Sequence, residues 1–186
     1  MTLVIVCTGT LQYFSEKPYM KLAQSFATEL EYEAGITIKF LERVPLDRFD
    51  WAPHEKSMSI GQLANHIAEM PAWIPITLNS TELDFDQFKF TRWNYRDNTA
   101  LINAFTAAVQ EANKLFLATS NEAFMDLWTL RRGEHITFTL PKAAVIRNNC
   151  LNHLYHHRAQ LSVYLRLMDI PVPGAYGPSA DEKRAG

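Results

Sequence analysis

The chain has 186 residues, is 47% hydrophobic, and sets 18 Lys+Arg against 20 Asp+Glu for a net charge of −2. That length corresponds to about one domain and buries a sizeable core without a disulfide scaffold. The charge balance argues against a nucleic-acid binder, which needs a basic face, and two cysteines exclude a disulfide-rich secreted fold.

Residues 1–17 read as an N-terminal arm. The start, MTLVIVCTGTLQYF, has neither a basic n-region nor a small-x-small cleavage site, so it makes a poor secretory signal. No apolar run approaches the ~20 residues that span a bilayer. A cytoplasmic protein without a membrane partner is expected.

A first helix is predicted from Pro18 to about Arg43, with Leu22, Phe26, Leu30, Ala34, Ile38 and Leu41 at helical spacing. Pro45 to Lys56 reads as a loop. Ser57 and Ser59 both qualify as N-caps, and Ser59 to Gln62 has capping-box spacing. The second helix then runs to about Met70 with Ile60, Leu63, Ile67 and Met70 on one stripe. Pro71 and Pro75 bound it or kink its continuation through Trp73. Leu78 to Arg96 lacks a clear period and reads as a long loop with room for a short helix. Asn98 caps a third helix carrying Leu101, Phe105, Ala108, Val109, Ala112, Leu115 and Phe116. From Asp126 to Leu140 the period switches to two around Arg132-Gly133, which predicts a short β-hairpin. Pro141 opens a fourth helix that runs to about Met168, before Pro171 and Pro173. Residues 174–186, rich in Gly, Pro and charge, are expected to form a mobile tail. The fold class is therefore all-α: a four-helix bundle over residues 18–173 with one hairpin between its third and fourth helices.

The fourth helix contains NHLYHHRAQ, residues Asn152 to Gln160. Residues four apart in a helix stack on one face, which places His153 above His157. Both fall on a predicted inward stripe, Ile146, Cys150, His153, His157, Leu161, Tyr164 and Met168. Buried imidazoles need partners, and a divalent metal satisfies two at once. His66, at the edge of the second helix's apolar stripe, is the candidate third ligand. His156 competes with His157 for the second place, and Cys150 is an alternative soft ligand or a small core filler. His54 and His135 fall in a loop and the hairpin, where solvated roles are expected. Glu69, one turn after His66, reads as a general base, as a residue orienting a ligand, or as a solvated acid. Arg158 and Gln160 read as anchors for a substrate carboxylate or as members of the local polar network, and Tyr155 and Tyr164 as core aromatics.

On these residues the chain resembles the DinB/YfiT-like family of metal-binding four-helix bundles. The resemblance is carried by LERVPLDRFDWAPHEKSMSIGQLANHIAEM at Leu41–Met70 and NHLYHHRAQLSVYLRLMDIPVPGAYGPSADE at Asn152–Glu182. The family pattern of one histidine on the second helix and H-x-x-x-H-R-x-Q on the last maps onto His66, His153, His157, Arg158 and Gln160, leaving out His156. Departures are the apolar arm and Ala159, where Gly is common. The resemblance implies an up-down-down-up bundle, one divalent ion (zinc or nickel) at an open three-histidine site, and a homodimer. It implies hydrolysis, or transfer of a low-molecular-weight thiol to a small-molecule electrophile. The alternative is a non-catalytic bundle that binds a metal or a small molecule. The family name evokes DNA damage, yet the charge of −2 offers no electrostatic case for DNA.

Overall fold

A computed structural model describes residues 21–182; the arm at 1–17, the predicted helix start at 18–20 and residues 183–186 lie outside the described residues. Helix α1 spans Leu22–Leu41 and buries Phe26, Leu30, Ala34 and Leu41, the row its sequence period selects. Helix α2 spans Ile60–Glu69 and begins on a complete capping box: Ser59 Oγ accepts from Gln62 N–H at 3.2 Å, and Gln62 Oε1 accepts from Ser59 N–H at 2.9 Å. Gly61 is required here by close approach, since a Cβ would stand 2.1 Å from the Phe49 ring. Pro71 opens a short turn into helix α3, Trp73–Asn79.

Helix α4, Asn98–Ala118, is capped by Asp97 rather than by Asn98. Asp97 Oδ1 accepts from Ala100 N–H at 2.8 Å, while the Asn98 amide donates to the Val44 carbonyl. A short helix α5, Asn121–Met125, follows, and Phe124 closes an aromatic cluster with Phe26 and Phe116. The predicted hairpin is present as β2, Leu127–Arg132, and β3, His135–Pro141, with Gly133 at a φ of 55° in the turn. The loop reading of Leu78 to Arg96 omits one element: strand β1, Glu82–Asp84, pairs parallel with β2 and completes a three-stranded sheet. A three-residue strand whose partner lies far along the chain leaves no local period to read.

The predicted fourth helix is not uniform. Helix α6, Lys142–Val145, runs into a π-helical turn at Ile146–Asn152, and only then into helix α7, His153–Leu167. The wider turn rotates the helix after it, so the inward row of α7 is Leu154, His157, Arg158, Leu161, Leu165 and Met168. His153 and Tyr164, predicted inward, are half-buried instead. Helix α1 packs along α4 and α2 along α7, and contacts between α2 and α4 and between α1 and α7 close the up-down-down-up four-helix bundle. No described helix is long and apolar enough to cross a membrane.

Beyond Pro173 the chain is tied to the body, contrary to the expected mobile tail. The Tyr176 hydroxyl donates to the Glu33 carboxylate on α1 and accepts from Arg158 on α7 at 2.6 Å. Asp181 pairs with Arg166 at 2.6 Å. Charge and Gly/Pro content suggested freedom; specific partners on two helices remove it for residues 174–182.

Candidate metal centre

The histidines of α2 and α7 converge. One nitrogen from each of His66, His153 and His157 lies within 4.8 Å of the other two. The His66 ring stands 5.1 Å from that of His153 and 4.6 Å from that of His157, centroid to centroid. His157 is buried, and the other two rings are half-buried at the bundle edge.

Two of the three rings are held from behind by an oxygen. His66 Nδ1 lies 2.8 Å from Glu69 Oε1, one turn along α2. His157 Nδ1 lies 2.7 Å from Gln160 Oε1, again at i+3. The backbone of Asn149, inside the π-turn, partly opposes the lowering of the His153 pKa by burial. That turn diverts the His153 amide to the carbonyl of Cys150. The oxygen acceptors at Nδ1 of His66 and His157 favour the proton there, which leaves Nε2 of each as the donor atom. His157 Nε2 and His153 Nε2 are 2.8 Å apart. Two lone pairs at that distance repel unless a proton or a cation lies between them. Burial first, then the Coulombic presence of the other histidines, pushes His157 down to about 4; Gln160 opposes this in part. The same burial lowers His153. A proton is thus disfavoured, and the donor set fits a divalent ion. One pair of nitrogens is 2.8 Å apart and all three lie within 4.8 Å, a span that brackets the roughly 3.3 Å that tetrahedral coordination sets between nitrogens.

Glu69 is buried and both its oxygens are engaged, Oε1 by His66 and Oε2 by the Trp93 N–H at 3.2 Å. Gln160, read as a carboxylate anchor or a member of the local polar network, stands behind His157. Arg158 does not. It points away from the three histidines to a buried ion pair with Glu33 at 2.6 Å, and also donates to the Glu33 carbonyl and Thr37 Oγ1. Adjacent positions on a helix differ by about 100°, so a residue next to His157 faces a different neighbour. Cys150 lies in the core, outside the cluster, its thiol pushed up to about 12 by burial. His156, His54 and His135 are exposed.

A cleft of about 430 Å³ is lined by His66 together with Met58, Gln62, Arg92, Trp93 and Asn94. Sequence reasoning did not single out Arg92, Trp93 or Asn65, because loop residues carry no period. The signal available was Asn65 itself, a polar side chain beside His66 on an apolar helix. It is buried, and its amide exchanges two hydrogen bonds with the Tyr95 backbone, at 2.9 and 2.8 Å.

Fold and site together define a helical bundle with a three-histidine candidate metal centre on facing helices. A model of the DinB family matches residues 18–185, and the chain belongs to that family. The curated protein YrdA of Bacillus subtilis (strain 168) is 24% identical over 157 residues, covering 84% of this chain and 89% of YrdA. Among solved structures, a DinB-like protein of Bacillus cereus is 18% identical with a TM-score of 0.60, covering 82% of this chain and 97% of its own. YjoA, a DinB-like protein of Bacillus subtilis, is 16% identical with a TM-score of 0.61, over 86% and 99%. YfiT of Bacillus subtilis, described as a probable metal-dependent hydrolase with an unusual four-helix bundle topology, is 13% identical with a TM-score of 0.57, over 80% and 89%. At these identities the structural likeness is one of fold.

Proposed function

We propose that this chain is a metal-dependent enzyme acting on a small molecule, with His66, His153 and His157 holding one divalent ion, zinc or nickel. The observation that carries this reading is the 2.8 Å approach of the His153 and His157 Nε2 atoms, with Gln160 Oε1 2.7 Å from Nδ1 on the other side of the His157 ring. When bound, such an ion supplies a Lewis acid that lowers the pKa of a water or a low-molecular-weight thiol. Water as nucleophile makes the protein a hydrolase, and a thiol makes it a transferase. The description of YfiT supports the first.

The chain's own residues bind and orient. Glu69 and Gln160 hold the Nδ1 protons of His66 and His157 and keep Nε2 as the donor atom. With both oxygens engaged, Glu69 is better suited to holding the proton at His66 Nδ1 than to acting as a general base. Arg158 stays outside the machinery, in its pair with Glu33. We also propose the homodimer that the family resemblance implies. Val163 and Leu167, both exposed and one turn apart on α7, support an apolar contact, and light scattering tests it.

The experiment is metal content by mass spectrometry on untagged wild type and His157→Ala, followed by a screen of the loaded protein. The screen sets esters and amides beside thiol–electrophile pairs. Stoichiometric metal in wild type and its loss in the variant are expected. Wild type without stoichiometric metal, or a variant that retains it fully, ends the reading.

A further inference from the structure

We infer that the substrate carries an oxyanion, a carboxylate or a phosphate, and that Arg92 binds it beside the three histidines; this rests on the metal-dependent reading above. Arg92 is the one Lys or Arg among the described residues lining the cleft, and its side chain is 69% exposed. Its Nη1 makes a long 3.4 Å ion pair with Glu69 Oε1, an oxygen that already takes the His66 proton. The 3.4 Å approach of the same Nη1 to His66 Nδ1 sets two donors against each other, so it is no bond. Nε and Nη2 of the guanidinium, without a partner among the described residues, keep one edge of the fork for a ligand, and that edge matches an oxyanion bidentately. By contrast Arg96, four residues on, closes its fork on Asp50 at 3.1 and 2.7 Å.

The position of Arg92 is built rather than incidental. The Trp93 N–H donates to Glu69 Oε2, and the Tyr95 backbone exchanges two bonds with the Asn65 amide. Both anchors flank His66 on α2. One turn of helix thus carries a histidine of the cluster and pins the loop that places Arg92 one imidazole ring away from His66 Nε2. A substrate whose reacting group lies at the histidines and whose oxyanion lies at Arg92 spans that distance.

The test uses cobalt(II)-loaded wild type, Arg92→Gln and Arg92→Lys. Each is titrated with 3-mercaptopropionate and with 3-mercaptopropionamide, which differ in the carboxylate alone. Binding is read from the thiolate-to-cobalt absorption, and cobalt content by mass spectrometry. Wild type is expected to prefer the carboxylate by about tenfold or more, as a charge-assisted bidentate pair gives. Arg92→Gln is expected to keep its cobalt and lose the preference, with Arg92→Lys in between. Equal binding of the two thiols by wild type, a preference that survives in Arg92→Gln, or cobalt uptake without thiol binding overturns the inference and leaves the metal centre standing. Failure to take up cobalt ends the metal reading, and this inference with it.

Discussion

Glu69 Oε1 stands 2.8 Å from Nδ1 of His66, one turn along the same helix, and the carboxylate is 1% exposed. A buried carboxylate behind an imidazole fixes the ring's tautomer and raises its basicity at the other nitrogen. Changing such a partner costs about 10–100-fold in metal affinity or activity. Glu69→Ala is expected to weaken metal binding within that range, and Glu69→Gln by less, because its amide oxygen still accepts the Nδ1 proton. Competition against a chromogenic chelator measures both. A large loss of turnover at unchanged metal affinity in Glu69→Gln would instead return Glu69 to the role of general base.

Gln160 performs the corresponding task for His157, through a neutral oxygen 2.7 Å from Nδ1. Gln160→Leu removes the acceptor without adding charge. Weaker metal binding is expected, by roughly the lower end of that range, with the fold intact, since Gln160 is only half-buried. Circular dichroism checks the fold and chelator competition the affinity.

His157 contributes to the pH dependence of the metal-free protein, in the same direction as His153. The His157 ring is pushed down to about 4 from an ordinary value of 6.5. Between those limits the unfolded chain binds a proton there that the folded chain does not. Stability is therefore fully retained above about pH 6.5, falls as the pH drops toward 4, and loses no more through this residue below that. Urea midpoints of wild type and His157→Gln from pH 4 to 8, with chelator present, should converge as the pH falls. Parallel curves would show that His157 carries no depressed value. Adding metal should raise the midpoint of wild type by mass action.

The Arg158–Glu33 pair gives a test that separates stability from the site. Both side chains are buried, and Tyr176 bonds to both. Arg158→Met leaves a buried carboxylate without its cation, a loss of about 3–5 kcal/mol. The double variant with Glu33→Met is expected to recover much of this. Thermal melts measure the effect, and metal content in Arg158→Met should stay stoichiometric wherever the protein is folded. Metal lost in the folded variant would move Arg158 back among the groups that support the histidines.

Much of the candidate site was legible because its relationships are local. The i, i+4 spacing of His153 and His157, the i+3 acceptors Glu69 and Gln160, and the Ser59–Gln62 capping box all lie within one turn of a helix, where period and spacing specify neighbours. The hairpin was legible for the same reason, through a two-residue period and a glycine in its turn.

Relationships beyond one turn were not. The direction of Arg158 depended on Glu33 waiting across the bundle, a partner 125 residues away, although Glu33 sits among the apolar residues of α1 as a visible misfit. The π-turn shifted the inward row of α7, and no spacing rule marks where a helix will widen. Strand β1 took its shape from the distant backbone of β2, and the loop bearing Arg92 from the side chains of Glu69 and Asn65 on α2. The sequence alone therefore determined which three histidines stand on helical faces that can meet. Tertiary packing decided how each ring is held, which charged side chains share the cleft, and which are committed elsewhere, because those contacts join segments that no local period connects.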